Sequence, residues 1–261
     1  MLAKSFDLYG GRDPRELPVY GPREAAACLN IPETTLLRWT VGHLGVGPVL
    51  TVDEGQRRLS FFNLLEAFVI DELRRRSHFS LQELRRIIDE LRSEYPQLRY
   101  PLAEVDVSVA KEGPAREYDI VSESGIRFQK ESKRRPRAEL FTQVPGEPLV
   151  NISGRGRNLV LTEVLRDFLK RVEKRPAEGV VRLYPFITKD RNPDAPKTIA
   201  VDPTVAFGKP VIAGTGIPTA AVYQLFNAGD EIREIAEEYD RDPSEIEAAI
   251  RYESVRAKRA A

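Results

Sequence analysis

The stretch VDPTVAFGKPVIAGTGIPTAAV, Val201 to Val222, decides the fold of the C-terminal part of the chain. Its glycines favour two tight turns that bracket a short strand, PVIAG, and Pro218 suits the first turn of a helix. A phosphate-binding loop would need Lys and then Ser or Thr after its second glycine, whereas Thr215 follows Gly214 directly. The stretch therefore predicts a structural hairpin that leads into a helix.

The sequence around this hairpin predicts three helices. Thr219 to Ala228 forms the first and is stopped by Gly229, Asp230 caps the second, and the capping box of Asp242 to Glu245 begins the third. Residues 188–261 are thus expected to form a C-terminal three-helix domain of helix-turn-helix type with a short β hairpin, after a polar, proline-containing linker.

Acidic side chains dominate these helices, which carry few arginines. A surface of that sign repels phosphates, so it favours a protein partner or a dimer interface, and the alternative is a merely solvated face. The acidic positions are Asp230, Glu231, Glu234, Glu237, Glu238, Asp240, Asp242, Glu245, Glu247 and Glu253.

The N-terminal region, residues 1–96, contains a second helix-turn-helix pattern in YGPREAAACLNIPETTLLRW. A helix from Pro22 to Leu29 meets a turn at Asn30, which tolerates a left-handed conformation, and a second helix starts at Pro32. The hairpin pattern that follows predicts a wing. Ser60 caps one further helix, and Ser80 with Glu83 caps another.

This winged helix-turn-helix predicts a DNA-binding domain. Side chains exposed on the second helix would read base edges, and arginines on the return strand of the wing would contact phosphates. The alternative is a winged domain that serves dimerisation. The candidate DNA-binding residues are Thr34, Thr35, Arg38, Arg57 and Arg58.

Residues 97–187 predict a small, mainly antiparallel β domain with one helix, from Asn158 to Lys174. With the two flanking regions, this gives an α+β fold.

The segment RFQKESKRRPR lies in the central domain, and three interpretations stay open for it: it follows DNA phosphates, it enters an acidic site on a protein, or it is a solvated hairpin tip. Its candidate partner-binding residues are Lys130, Lys133, Arg134, Arg135 and Arg137.

Composition excludes several other classes of protein. Lys plus Arg and Asp plus Glu number 40 each, so nucleic-acid binding must come from local patches. The one cysteine, Cys28, is expected to be a buried thiol, and His43 and His78 lack companions at metal-ligand spacing. Without a membrane-spanning run, a signal peptide or a catalytic constellation, we expect a cytoplasmic binding protein with no enzyme activity, metal or cofactor.

The chain resembles two known families in two separate regions. EAAACLNIPETTLLRW resembles the N-terminal domain of MerR-type regulators, and the stretch from Val201 to Glu253 resembles the C-terminal domain of VapB-like antitoxins with the pattern G-K/R-P-x-I-x-G-T-x-I-P. The second resemblance implies a chain that neutralises a PIN-like ribonuclease toxin and represses the operon that the two share by binding operator DNA. We also expect a homodimer or higher oligomer. The alternative is a MerR-like transcription factor with a small-molecule pocket in the central domain.

Overall fold

The computed structural model describes residues 9–42, 47–50, 52, 58–76, 79–94, 96–104, 106–111, 138–143, 150–151, 170–175, 178–188 and 190–260. Over these residues the chain is an α+β protein, with helices and small antiparallel sheets. The predicted fold class is confirmed. Two compact units divide the chain, one formed by residues 1–67 and 170–261 and the other by residues 68–169.

Helices occupy both ends of the described chain, and short strands lie between them. The helices are α1 (Pro22–Cys28), α2 (Glu33–Val41), α3 (Phe61–Arg76), α4 (Leu81–Glu94), α5 (Pro101–Glu104), α6 (Thr219–Ala228), α7 (Ile232–Tyr239) and α8 (Pro243–Ala260). The strands are β1 (Asp106–Lys111), β2 (Ala138–Gln143), β3 (Val150–Asn151), β4 (Val172–Arg175), β5 (Gly179–Leu183), β6 (Ile199–Ala200) and β7 (Val211–Ile212).

Local capping signals place the helix ends close to where the sequence predicts them. The backbone N–H of Asn63 donates to Ser60 Oγ at 3.1 Å, and Ser80 and Glu83 bond each other reciprocally. The helix α6 has its predicted bounds, and Gly229 ends it in the left-handed region at φ 112°. The helix α7 begins after Glu231 rather than after the expected cap Asp230, because the carboxylate of Glu234 accepts the Glu231 N–H at 3.0 Å.

In the first unit the predicted hairpin forms between β6 and β7. Ile199 pairs with Ile212 and Ala200 with Val211 in antiparallel register. The apolar residues of this hairpin and of α6 to α8 form one buried core, which comprises Ile199, Ile212, Val222, Ile235, Ala236, Ile246, Ala249, Ile250 and Tyr252. The hairpin and the three C-terminal helices thus share one apolar core.

One sequence prediction is wrong in this unit. Val172 to Lys174 belong to β4, which pairs antiparallel with β5, so the helix predicted from Asn158 to Lys174 does not reach its expected end. The β-branched Val172 suits a strand, and pairing with β5 satisfies the backbone there. In the polar segment after Thr188, Arg191 is only 6% exposed, whereas most of its described neighbours are exposed.

The compact units also follow a different division from the three predicted regions. The helix-turn-helix and the C-terminal helices belong to the same unit, in which α1 packs against α8. The backbone N–H of Leu183 donates to the Val201 carbonyl at 3.0 Å, and the reverse bond measures 2.8 Å, so β5 continues toward the C-terminal hairpin.

The second unit contains the rest of α3, then α4, α5 and a three-stranded sheet in the order β1-β2-β3. The register pairs Asp106 with Gln143 and Lys111 with Ala138, so the sheet is antiparallel as predicted. The strands predicted within 116–131 and the helix predicted from Asn158 onward lie, up to residue 169, outside the described residues. No helix in the described part of the chain is long and apolar enough to cross a membrane.

Candidate nucleic-acid interface

The turn between α1 and α2 has the backbone conformation predicted for it. Asn30 adopts the predicted left-handed conformation at φ 56°. Leu29 and Ile31 close the end of α1 by donating their backbone N–H groups to the carbonyls of Ala25 and Ala26, each at 3.0 Å. The chain therefore reverses direction within a few residues and starts α2 after Pro32.

One side of α2 is fixed in the core. Leu36 is 0% exposed and Trp39 is 1% exposed, and the carbonyl of Trp39 accepts the backbone N–H groups of Val49 and Leu50 at 2.8 and 2.9 Å. These contacts hold the helix at both its side chains and its C-terminal backbone. The opposite side of α2 is consequently presented to solvent in a defined orientation.

The predicted base-reading residues lie on that solvent side. Thr34 and Arg38 are exposed, and Thr35 is half-buried. The Arg38 side chain has neither an ion pair nor a hydrogen bond to any residue that the structure describes. A guanidinium with all its donors available on an anchored helix can bind an acceptor pair bidentately.

The structure gives Arg58 a structural role beside its predicted phosphate contact. Its guanidinium donates from Nε to the carbonyl of Pro18 at 3.2 Å and from Nη2 to the carbonyl of Val19. Next to it, Leu59 and Tyr20 exchange backbone hydrogen bonds of 3.0 and 2.7 Å. Since Arg58 is exposed, its other donors still face solvent at the base of the predicted wing.

Several predicted site residues lie outside the described residues. They are Arg57 in the predicted wing and the whole basic segment of Lys130, Lys133, Arg134, Arg135 and Arg137. The central sheet is described for its backbone pairing, and the side chains that would line a ligand pocket there are not among the described ones.

Arg191 supports the helix-turn-helix in a way that the sequence did not reveal. Its Nη2 donates to the carbonyls of Leu29 and Asn30, at 2.8 and 3.4 Å, and its guanidinium lies 5.5 Å from the ring centre of Phe186. A cation at the C-terminal carbonyls of a helix is favourable, and these carbonyls lie at the turn itself. The polar, proline-containing sequence around Arg191 carries no periodic signal that would have indicated this contact.

A second contact between the ends of the chain involves Tyr20 and Gly208. The Tyr20 hydroxyl donates to the Gly208 carbonyl at 2.8 Å, and burial raises the pKa of Tyr20 well above its ordinary value. Gly208 has φ +77°, and a Cβ there would overlap the Tyr20 hydroxyl. The glycine of the G-K-P pattern is thus required both by its conformation and by close approach of a tyrosine.

The third contact joins α1 to α8 through buried polar side chains. Burial raises the pKa of the Cys28 thiol to about 11, and Tyr252 and Arg256 lie close enough to influence it. Glu253 pairs with Arg256 at 2.6 Å and also accepts from the Thr219 hydroxyl. As predicted, Cys28 is buried, and its thiol is not part of a disulfide.

The C-terminal helices present an acidic surface whose arginines are already paired. Arg233 bonds Glu237 at 3.1 Å, Arg241 bonds Glu245 at 2.8 Å, and Arg251 bonds Glu247. Further carboxylates, those of Glu234 and Glu238, are exposed on α7. Carboxylates therefore outnumber the available cations on this face, as the sequence predicted.

The pKa shifts on this surface follow from local hydrogen bonds. The hydroxyl and backbone N–H of Ser244 lower the pKa of Asp242, and the hydrogen bond to Glu245 raises the pKa of Arg241. Both groups stay charged at neutral pH. Among the described residues no group of three or more His, Cys, Asp or Glu side chains is arranged to hold a metal ion.

Comparison with known proteins gives a partial family match. Residues 199–252 match the model of a family described as a protein of unknown function (DUF433). No curated protein matches the chain. The crystal structure of Rv2018 from Mycobacterium tuberculosis is similar with a TM-score of 0.56 at 20% identity, over 90% of this chain and 98% of that chain. At that identity the likeness concerns the fold.

Proposed function

We propose that this protein is an antitoxin that neutralises a PIN-like ribonuclease and represses its own operon by binding operator DNA. The observation that carries the proposal is the anchored helix α2, which presents Arg38 and Thr34 to solvent from the same folded unit as the segment that resembles VapB-like antitoxins. In this proposal the protein is a binding protein without enzyme activity, metal or cofactor, and it acts in the cytoplasm as a homodimer or higher oligomer.

DNA recognition is assigned to the N-terminal helices. Thr34, Thr35 and Arg38 read base edges in the major groove, and Arg57 and Arg58 hold the backbone phosphates. The buried partners of α2 support this assignment, because a recognition helix must be held rigidly if its side chains are to discriminate between bases.

Toxin binding is assigned to the rest of the molecule on charge grounds. The acidic surface of α7 and α8 repels DNA and suits a protein partner or the second protomer. The basic segment Lys130, Lys133, Arg134, Arg135 and Arg137 suits the carboxylates with which a PIN-like ribonuclease positions its metal ion.

The experiment for the DNA half measures binding of the purified protein to the DNA upstream of its own gene, in competition with unrelated DNA. Arg38→Ala should reduce the preference for the upstream DNA by about fivefold or more, since an arginine on guanine contributes roughly 1 to 3 kcal/mol of discrimination. Arg233→Ala is the matched control, because Arg233 is an exposed arginine on the acidic surface. Equal binding by all three proteins would contradict the assignment.

The same assay separates a phosphate contact from a base contact. Arg57→Ala combined with Arg58→Ala should weaken binding to all sequences alike and flatten the salt dependence, by about one unit of slope for each lost phosphate contact. Because Arg58 also holds the carbonyls of Pro18 and Val19, the thermal stability of this variant must be measured beside its affinity.

A further inference from the structure

An uncommon surface stripe runs along the solvent side of α2. Leu37 is 37% exposed and Val41 is 75% exposed, and both rank among the large apolar side chains that the described structure leaves open. Together with Thr34 and Arg38 they occupy positions i, i+3, i+4 and i+7, which fall on one face of a helix. The stripe is thus methyl-rich with a single guanidinium in its middle.

We infer that Leu37 and Val41 read the methyl groups of thymines on either side of a guanine bound by Arg38. This inference rests on the proposed DNA binding and adds the bases that the helix selects. In the major groove thymine presents its C5-methyl group and guanine presents the O6 and N7 acceptors. The order of side chains along α2, apolar, cationic, apolar, is complementary to that pattern.

Charge argues for DNA rather than a second copy of the chain as the occupant. A two-fold interface centred on this stripe would bring the Arg38 side chains of both protomers together, and like charges at a desolvated interface are unfavourable. Arg38 has no acidic partner among the described residues that could neutralise it. Guanine in a polyanionic duplex supplies both the acceptors and the opposite charge.

The test begins with the full-length protein and a random duplex library, from which preferred sequences are enriched. Each thymine of the enriched duplex is then replaced by deoxyuridine, which removes one methyl group and leaves base pairing intact. Wild-type protein should bind about fourfold more weakly for each methyl group that is read. Leu37→Ala should abolish the response at one position and Val41→Ala at another.

Phe226→Ala is the matched control, because Phe226 is 39% exposed on α6, away from the stripe. This variant should retain the full deoxyuridine response, and thermal melting should show that all three variants are folded. The inference would be overturned, with DNA binding left in place, by either of two results. The first is a wild-type affinity that no deoxyuridine replacement changes, and the second is a set of variants whose affinities change as the wild-type affinity does.

Two further outcomes would also overturn the inference that α2 reads thymine methyl groups. If no duplex is enriched, the proposed DNA binding fails and the thymine readout fails with it. If Leu37→Ala or Val41→Ala instead converts a dimer to a monomer in sedimentation while the deoxyuridine response is unchanged, the stripe is an interface between copies of the chain.

Discussion

At the scale of single residues, Gly208 and its neighbours show how the two ends of the chain depend on each other. Gly208 is buried at φ +77°, directly against the hydroxyl of Tyr20, which lies 188 residues earlier and precedes α1. Its neighbours Ala206 and Phe207 also have positive φ, at 47° and 56°. The loop conformation is therefore maintained by contacts with the N-terminal segment.

Gly208→Ala should destabilise the protein by about 2 to 4 kcal/mol, because the new Cβ is strained at positive φ and displaces the Tyr20 hydroxyl from its acceptor. Gly214→Ala is the matched control: its φ is also +77°, but no atom lies within 4 Å of the added Cβ. Urea unfolding should show that the control loses only about 1 kcal/mol of its free energy of unfolding. Equal losses for both variants would show that the contact with Tyr20 contributes nothing.

The raised pKa of the Cys28 thiol predicts that the free energy of unfolding depends on pH. Burial raises the pKa of its thiol from 9.0 to about 11, so the unfolded chain loses this proton first as pH rises. The stability that Cys28 contributes is complete below about pH 8 and declines between about pH 9 and 11, by about 1.4 kcal/mol for each pH unit.

Urea unfolding of the wild type and Cys28→Ala at about pH 7.5, 9 and 10 tests this. The difference in unfolding free energy between the two proteins should change in favour of the variant as pH rises, since alanine has no proton to lose. A difference that stays constant over this range would contradict the assigned pKa.

At the scale of elements, the turn of the helix-turn-helix is supported by a segment from the other end of the sequence. Arg191 donates to both carbonyls of the turn and stacks on Phe186. Arg171, which is also buried, donates to the carbonyls of Tyr184, Pro185 and Ala195 around the same ring. Arg171 thus holds together the segment between β5 and β6, and Arg191 holds that segment against the end of α1.

Arg191→Ala should lower stability by about 2 to 3 kcal/mol, because two buried carbonyls lose a charged donor. Arg233→Ala should stay within about 0.5 kcal/mol of the wild type, since its bond to Glu237 is an exposed pair on a helix surface. Thermal and urea unfolding measure both. Arg191→Ala with wild-type stability would mean that the segment is held by its other contacts.

The elements that the sequence predicted best are those set by local signals. Ser60, Ser80 and Gly229 act through hydrogen bonds or backbone conformation within a few residues, and each lies where it was expected. The packing of the N-terminal residues against the C-terminal part of the chain was not predictable. The contacts of Tyr20, Arg191 and Cys28 join residues far apart in the sequence and leave no periodic pattern.

The candidate site also contains some features that local sequence patterns predicted and others that they did not. The exposure of Thr34 and Arg38 agrees with the helical period of α2, in which Leu36 and Trp39 are buried, whereas the exposure of Leu37 does not follow from its apolar side chain. The additional carbonyl contacts of Arg58 depend on the path of residues 18 and 19, which no local pattern encodes. The helix expected to end at Lys174 was mistaken because Val172 suits a strand as well as an apolar helix face.

At the scale of the whole molecule, the proposed function places DNA and the toxin on different parts of one chain. The helix-turn-helix and the acidic C-terminal helices share a compact unit, whereas the basic segment lies within residues 68–169 of the sequence. Both assignments place cationic side chains on an anionic partner, the DNA in one case and the ribonuclease carboxylates in the other.

Replacing Lys133, Arg134, Arg135 and Arg137 with serine should separate the two activities. If these side chains enter the ribonuclease site, operator affinity stays nearly unchanged while inhibition is lost, because desolvated arginine pairs are strong and exposed charges are weak. Mobility shift and RNA cleavage assays on this one variant measure both. Reduced operator affinity with a smaller salt slope and intact inhibition would instead assign the segment to DNA.

The most direct test of the antitoxin function is a titration of the PIN-like ribonuclease expected beside this gene. RNA cleavage by that purified protein is followed while the full-length chain is added in increasing molar ratio, with Arg38→Ala as a variant altered only in DNA recognition. We expect cleavage to stop at a fixed molar ratio, and at the same ratio for wild type and variant. Undiminished cleavage at a large molar excess of the wild-type chain would contradict the proposal.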